Sequence, residues 1–208
     1  MTNLELHNIL FLRSNCYKLS IKFDHAKLFD ELNTYQHALI KYNPKKNIER
    51  YGLPITSASG KMTGVPDLDS LGEYNKLNNT NYTELDFKTP TKIYYETSIK
   101  NIIKPFASWL GRSHAIYLMP GGFFPPHVDT DGFSIDTFRI LIPLKNSNYP
   151  KCAFLLDNKL LQFEYGFMYV INTAIEHSVF AMEKNTNVIF NIALCYDSVK
   201  KVQEFIAT

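Results

Sequence analysis

The C-terminal half of the chain is divided into short apolar runs, and this pattern restricts the fold more than any other feature. Six runs after Ser113 have the length of a strand: AIYLM, FRILIPL, CAFLL, FMYVIN, SVFAM and NVIFNIALCY. Turn-forming sequences such as Pro-Gly-Gly, Asp-Gly and Asp-Asn separate them. Short strands at this spacing are typical of a β-sandwich, a jelly roll or a barrel.

The N-terminal half has a different character. Its apolar spacing predicts a strand followed by an amphipathic helix over residues 24–41, and a second helix over residues 97–110. Residues 45–91 are polar with recurring aromatic side chains, which indicates ordered loops that lie over the domain. We therefore predict a fold that is mainly β with flanking helices. The predicted boundaries are 1–208 for a single domain, 1–112 for N-terminal helices and covering loops, and 113–198 for a jelly-roll core.

Charge and cysteine content exclude several functions. The sequence has 22 Lys and Arg against 20 Asp and Glu, a net charge of +2, and no segment concentrates the basic residues. We therefore expect no binding to nucleic acid. The 3 cysteines form no Cys-x-x-Cys pair, which argues against a zinc ribbon and suits a reducing compartment. No apolar stretch approaches the roughly 18 residues that span a bilayer. We expect a soluble cytoplasmic protein without a membrane partner.

The segment PGGFFPPHVDTDGF carries the strongest chemical signal. His127 and Asp129 are two residues apart, so on a strand both side chains point to the same face and form a two-ligand chelate. A third ligand must come from a distant strand, and His177 in NTAIEHSVF is the candidate. Two histidines and one carboxylate leave the opposite side of a metal open, which suits non-heme Fe(II). Zinc accepts the same ligands, so the residues leave the metal open.

The same segments resemble a known enzyme family. MPGGFFPPHVD, FRILIPL and GFMYVINTAIEHSVF resemble the aspartyl/asparaginyl β-hydroxylase-like branch of the Fe(II)/2-oxoglutarate dioxygenases, which also includes bacterial proline hydroxylases. Upstream, RYGLPITSASG and PDLDSLGEYN are similar to bacterial and phage-borne oxygenases of that branch. The resemblance covers residues 50–196 and implies a double-stranded β-helix, Fe(II) on the three ligands, 2-oxoglutarate as co-substrate, and O2. It further implies hydroxylation of an unactivated C–H bond in an amino acid, free or within a peptide or protein.

One feature of that family is absent. Its members usually have an arginine about ten residues after the distal histidine, whose bidentate charged pair holds the far carboxylate of 2-oxoglutarate. This chain has Asn187 there, and a neutral amide cannot form that pair. We predict that Arg139 in FRILIPL is the substitute, because an arginine within a core strand requires a partner. Asn187 also keeps a second hypothesis open, a metal-binding cupin-type protein, isomerase-like or small-ligand-binding, that does not use 2-oxoglutarate.

Other residues are candidates for the pocket. Four of them are assigned to substrate binding: Arg50, His114, Tyr117 and Asn191. Arg50 precedes the YGLPITS phrase and is a candidate for a substrate carboxylate. His114 and Tyr117 are three residues apart, so strand alternation cannot turn both toward the pocket. Asn191 is four residues after Asn187, and the two share a face. The Asp131-Gly132 pair is predicted to form a lid loop.

Overall fold

The computed structural model describes residues 1–129 and 135–206 of the protein. The helices in these ranges are α1 (Asn3–Leu10), α2 (His25–Asn33), α3 (Leu71–Asn78), α4 (Lys92–Glu96), α5 (Ile99–Ile102) and α6 (Tyr196–Phe205). The strands are β1 (Cys16–Lys22), β2 (Ile40–Lys41), β3 (Arg50–Pro54), β4 (Thr56–Ser57), β5 (Thr89–Pro90), β6 (Leu110–Leu118), β7 (Phe123–His127), β8 (Thr137–Lys145), β9 (Cys152–Leu156), β10 (Lys159–Leu161), β11 (Phe167–Ile171), β12 (His177–Ala181) and β13 (Asn185–Ala193). None of these helices is long and apolar enough to cross a membrane.

The strands form two main antiparallel sheets. The larger sheet has the order β1-β11-β8-β13-β6-β3-β2, and the smaller has the order β10-β9-β12-β7. Strands β4 and β5 pair separately. An apolar layer that includes Ile116, Leu141, Phe154 and Val179 lies between the two main sheets. This arrangement confirms the predicted fold class, mainly antiparallel β with flanking helices around a jelly-roll core.

The larger sheet is covered on both faces. Val188, Phe190 and Ile192 alternate along β13, and all three are fully buried against the helix side. The intervening residues point toward the smaller sheet, because successive side chains of a strand project to opposite faces. Helices and N-terminal segments therefore cover one face, and the smaller sheet covers the other.

Helix α2 packs on the outer face of the larger sheet as the apolar spacing predicts. Asp24 caps it by accepting a hydrogen bond from the Lys27 amide at 2.9 Å. Leu28 and Leu32, one turn apart, are fully buried. The helix ends at Asn33, earlier than the predicted residue 41.

The second predicted helix, over residues 97–110, is divided. Helix α5 ends at Ile102, and a 3-10 helix continues from Lys104 to Trp109. Pro105 lies in the first turn of the 3-10 helix, and its ring removes the amide hydrogen that an uninterrupted α-helix would need.

The prediction of covering loops over residues 45–91 was wrong at β3. Strand β3 pairs with β6 and extends the larger sheet, which also takes β1 and β2 from the N-terminal part of the chain. Its sequence RYGLP contains a glycine and a proline, which are typical of loops. The structure explains the glycine: a Cβ on Gly52 would lie 2.9 Å from a methyl carbon of Leu68. A larger residue there would displace the Leu68 side chain and crowd the carbonyl oxygen of Ala115 at 3.3 Å, so glycine permits the close packing of Leu68 over the strand.

Candidate metal centre

Three side chains converge where the smaller sheet opens toward the larger one. His127 ends β7 and pairs with His177, which begins β12, and the two ring centroids are 4.2 Å apart. Asp129 follows two residues later, and its amide donates to the carbonyl oxygen of Thr173 at 2.9 Å. One nitrogen or oxygen atom from each of the three residues lies within 4.8 Å of the others. The structure thus brings together all three residues that the sequence singled out as ligands.

Backbone carbonyls fix the orientation of both imidazoles. The Nδ1 atom of His127 lies 2.6 Å from the carbonyl oxygen of Pro125, and the Nδ1 atom of His177 lies 3.0 Å from that of Ile175. A carbonyl oxygen can only accept, so each Nδ1 carries a proton and donates it, which leaves a lone pair on Nε2 of the neutral ring. These Nε2 atoms lie 3.4 and 3.6 Å from the carboxylate oxygens of Asp129. A carbonyl acceptor on the remote nitrogen is the usual support of a metal-binding histidine.

The electrostatic field keeps Asp129 ionised. Burial opposes its ionisation, but the guanidinium of Arg139 and the two imidazoles outweigh that effect and hold the pKa of Asp129 well below its usual range. Burial lowers the pKa of His177, so this ring is neutral at neutral pH. The carboxylate of Asp129 would accept a hydrogen bond from Nε2 of His127 if that ring were protonated, and this is the main cause that raises the pKa of His127. One carboxylate and two imidazole nitrogens therefore face a common point.

The donor set fits a divalent metal ion. The Oδ2 atom of Asp129 is buried and accepts no hydrogen bond, although the Nε atom of Arg139 lies 3.0 Å away. An ionised buried oxygen without a donor is unfavourable, and so are two nitrogen lone pairs directed toward it. A cation at the common point removes both penalties. Two nitrogens and one oxygen on one side suit Fe(II), and zinc binds the same donors.

The three residues open into a cavity of about 600 Å³ between the two sheets. This volume falls in the range of small-molecule sites. Apolar side chains form much of its wall, including Ile116, Leu141, Phe154 and Val179. Four of the residues proposed from the sequence for co-substrate or substrate binding also line it: Arg50, His114, Arg139 and Asn187.

These four residues differ in their surroundings. Arg139 points its Nε atom at Asp129, as described above. The side-chain oxygen of Asn187 is buried without a hydrogen-bond partner. Burial, together with the positive charge of Arg112, lowers the pKa of His114 well below its usual value. His114 is therefore neutral, and its Nδ1 atom is buried without a partner, so it is available to a ligand.

Two sequence candidates do not line the cavity. Tyr117 lies on the opposite face of β6, fully buried in the core on the helix side. Its distance of three residues from His114 gives it the opposite orientation. Asn191 faces the same side as Asn187, but its amide nitrogen donates to Glu84 at 2.9 Å and to the carbonyl oxygen of Arg112 at 2.7 Å. The predicted lid at Asp131-Gly132 lies outside the residues that the structure describes.

The sequence prediction missed Arg112. This arginine is buried at the cavity wall, and its Nε and Nη2 atoms donate to the two carboxylate oxygens of Glu84 at 2.8 and 2.7 Å. Its Nη1 atom donates to the carbonyl oxygen of Asp69 at 2.7 Å. The sequence did contain an indication of this role. Arg112 lies shortly before the apolar run AIYLM, as Arg139 lies within FRILIPL, and a charged side chain beside a core strand requires a partner.

Comparisons with known proteins agree with this architecture. No protein-family model matches the chain, and no curated protein matches it in sequence. The chain is similar to HygX from Streptomyces hygroscopicus, solved with nickel, 2-oxoglutarate and hygromycin B, with a TM-score of 0.53 and 9% identity over 94% of this chain and 88% of that one. At this identity the likeness shows a shared fold.

Two further solved structures have lower scores. An oxidoreductase of the 2OG-Fe(II) oxygenase family from Burkholderia pseudomallei has a TM-score of 0.49 and 14% identity, over 94% of this chain and 91% of that one. A viral collagen prolyl hydroxylase from Paramecium Bursaria Chlorella virus-1, in complex with 2OG, has a TM-score of 0.49 and 9% identity, over 88% of this chain and 98% of that one. The structural neighbours of the chain thus include 2OG-Fe(II) oxygenases.

Proposed function

We propose that this protein is an Fe(II)- and 2-oxoglutarate-dependent dioxygenase that hydroxylates an unactivated C–H bond of an amino acid, free or within a peptide or protein. The observation that carries the proposal is the convergence of His127, Asp129 and His177, with both Nε2 atoms facing one carboxylate at the wall of a cavity. The fold shared with HygX, whose structure holds nickel and 2-oxoglutarate, supports it. The sequence resemblance supplies the hydroxylase branch and the amino-acid substrate.

The chain holds the metal from one side. His127, Asp129 and His177 would bind Fe(II), and the carbonyl oxygens of Pro125 and Ile175 would keep both imidazoles in place. Bound Fe(II), with 2-oxoglutarate and O2, supplies the oxidising power for hydroxylation and releases succinate and CO2.

The rest of the cavity would position the reactants. Because His127, Asp129 and His177 all line the cavity, a metal that they hold would face its interior, where co-substrate and substrate would meet. The apolar walls exclude water from the reacting centre. The charge of Arg139 holds Asp129 ionised, which a metal ligand requires.

The co-substrate has two negatively charged carboxylates, and the cavity offers three arginines, Arg50, Arg112 and Arg139. The proposed assignment from the sequence places Arg139 and Asn187 at the co-substrate, and both line the cavity. Arg50 and His114, which the sequence also proposed and which line the cavity, are proposed contacts of the substrate. A cationic, partly apolar cavity of this kind suits small organic acids.

The proposal is tested by anaerobic titration of the Fe(II)-loaded protein with 2-oxoglutarate. We expect a saturable visible charge-transfer absorption, which arises when a 2-keto acid chelates Fe(II). His177→Ala should remove the absorption, whereas His37→Ala, at an exposed position that does not line the cavity, should retain it. Iron binding without any absorption in the unaltered protein would contradict the proposal.

One observation favours a second candidate, the cupin-type protein that binds metal without 2-oxoglutarate. Asn187 occupies the position where the family has its arginine, and Arg139 is engaged by Asp129. Succinate production separates the two candidates. An oxygenase forms succinate only with both Fe(II) and 2-oxoglutarate present, and the cupin-type protein forms none.

A further inference from the structure

Arg50 differs from the other arginines of the cavity because it forms no ion pair in the part of the chain that the structure describes, and the charge of Glu73 acts on it only from beyond ion-pair distance. Arg112 is paired with Glu84, and Arg139 lies against Asp129. Arg50 forms no ion pair within residues 1–129 and 135–206, its side chain is buried with only 5% of the residue exposed, and its Nε atom has no hydrogen-bond partner. A buried guanidinium with unused donors is unfavourable unless a ligand completes it.

Two aromatic rings hold the guanidinium in position. Its central carbon lies 4.5 Å from the ring centroid of Phe124 and 5.5 Å from that of Tyr42. Such cation–π contacts offset part of the cost of burying the charge and fix the plane of the group. They supply no hydrogen-bond acceptor, so the N–H fork of Arg50 remains free. A carboxylate matches that fork in charge and geometry.

The position of Arg50 suits the far end of a short dicarboxylate. The Phe124 ring that contacts Arg50 is 6.3 Å from the ring of His127, so one aromatic ring separates the guanidinium from a proposed metal ligand. The end carbons of an extended five-carbon chain are about 5 Å apart, given bonds of about 1.5 Å. Arg50 pairs in register with Leu118, and Leu118 with Asn185, two residues before Asn187. Arg50 therefore faces the same side of the sheet as Asn187, from β3, which is separated from β13 by β6.

Arg139 is less suited to that end. Its Nε atom lies 3.0 Å from Asp129, which places the guanidinium beside the metal ligands. We infer that Arg50, a residue of β3 outside the strands that carry the metal ligands, binds the distal carboxylate of 2-oxoglutarate in place of the arginine missing at Asn187. This inference rests on the proposed function. It assigns Arg50 to the co-substrate rather than to the substrate, and Arg139 to the positioning of Asp129.

The test compares two keto acids on the Ni(II)-loaded protein, which binds without turnover. In 2-oxopentanoate a methyl group replaces the distal carboxylate of 2-oxoglutarate, and calorimetry measures both affinities. We expect the unaltered protein to prefer 2-oxoglutarate by about 100-fold, the value of a bidentate charged pair. Arg50→Met should lower the affinity for 2-oxoglutarate by about the same factor and leave that for 2-oxopentanoate within a few-fold. Arg139→Met should weaken both acids equally, because it acts through Asp129.

Two controls make the outcome decisive. Arg50→Lys keeps the charge without the fork, so its preference for 2-oxoglutarate should be intermediate. The metal-free Arg50→Met protein should melt at the same or a higher temperature, because the substitution removes an unpaired buried charge. An Arg50→Met protein that retains the full preference would overturn the inference, and so would loss of the preference in Arg139→Met alone. Failure of the unaltered protein to bind either acid would instead contradict the proposed function.

Discussion

The two faces of the larger sheet are built from the same strands, but one faces an apolar core and the other mixes apolar with polar and charged residues. Toward the helices, β13 presents Val188, Phe190 and Ile192, all fully buried in a continuous apolar core. Toward the smaller sheet the same strand presents Asn187 and Asn191. Because side chains alternate along a strand, one strand contributes to stability and to a ligand cavity through different residues. The helix-side face holds the fold together, and the cavity face carries the chemistry.

The cavity face is itself divided. Arg112 is tied to Glu84 by two hydrogen bonds, so this pair is part of the structure. Arg139 lies against Asp129. Arg50 contacts aromatic rings and forms no ion pair with any acid among the described residues. A buried charge requires a partner from the protein or from a ligand. An arginine that is paired with an acid of the protein therefore has a structural or positioning role. An arginine without such a pair is a candidate for binding a ligand.

The largest expected effect comes from the metal ligands. His127→Ala should lower the affinity for divalent metal by more than about 100-fold, because losing a ligand exceeds the effect of losing its support. Turnover should be lost with it. Circular dichroism should remain unchanged, since the side chain of His127 is one-third exposed and contributes little packing. Calorimetric metal titration provides the measurement. Normal affinity in this variant would remove His127 from the ligand set.

The opposite face should respond in the opposite way. Phe190→Ala leaves a cavity in the helix-side core and should reduce the free energy of unfolding by about 3–5 kcal/mol. Under conditions where the variant is still folded, its metal affinity should stay within a few-fold of the original. Urea denaturation and metal titration measure the two quantities. A large loss of metal affinity in folded Phe190→Ala would show that the two faces are coupled.

A smaller effect is expected for the structural pair on the cavity face. Glu84→Gln removes the charge that compensates Arg112 and should lower the free energy of unfolding by about 2 kcal/mol, since Glu84 is partly exposed. Metal affinity should not change, because neither residue contacts the ligands. Exposed Glu204→Gln is the matched control and should be neutral. An unchanged stability in Glu84→Gln would mean that Arg112 belongs with the ligand-binding arginines.

The smallest expected effect is the pH dependence of metal binding. The pKa of His127 is raised by the carboxylate of Asp129, which stabilises the protonated ring, and the pKa of His177 is lowered by burial. As pH falls, His127 is thus protonated first, and protonation competes with the metal. Below the pKa of His127 the affinity should fall by about tenfold per pH unit, the slope of one proton. Calorimetry at several pH values measures the slope. A two-proton slope near neutral pH would mean that both rings titrate together.

Local patterns in the sequence were enough for the core strands and the three converging side chains. The apolar runs had strand length and regular turns, and His127 and Asp129 lie on one strand and its extension, so their common orientation followed from alternation. His177 followed from the need for a third ligand on a distant strand, whereas His114, which also lies in an apolar strand, lines the cavity but is not one of the three converging residues. These features depend on residues close in sequence, where strand geometry applies directly.

The missed features depend on contacts between distant residues. Nothing local reveals that Arg112 meets Glu84, 28 positions earlier, or that β3 joins the sheet through Gly52. The alternation of side chains along a strand showed that His114 and Tyr117 point to opposite faces of the sheet. It did not show which of the two faces the cavity. That choice is made by the neighbouring strands, which bury Tyr117 under the helices.

The pairing of β1 with β11 has a kinetic consequence. Cys16 lies opposite Ile171, and the His127–His177 pairing of β7 with β12 also joins distant parts of the chain. Chains dominated by such non-local pairs fold slowly, because the entropy of closing long loops is lost before the stabilising contacts form. The three side chains therefore come together only when β7 has paired with β12. A metal ion that binds only the native arrangement would raise the free energy of unfolding by about 2.7 kcal/mol when its concentration is 100 times its dissociation constant.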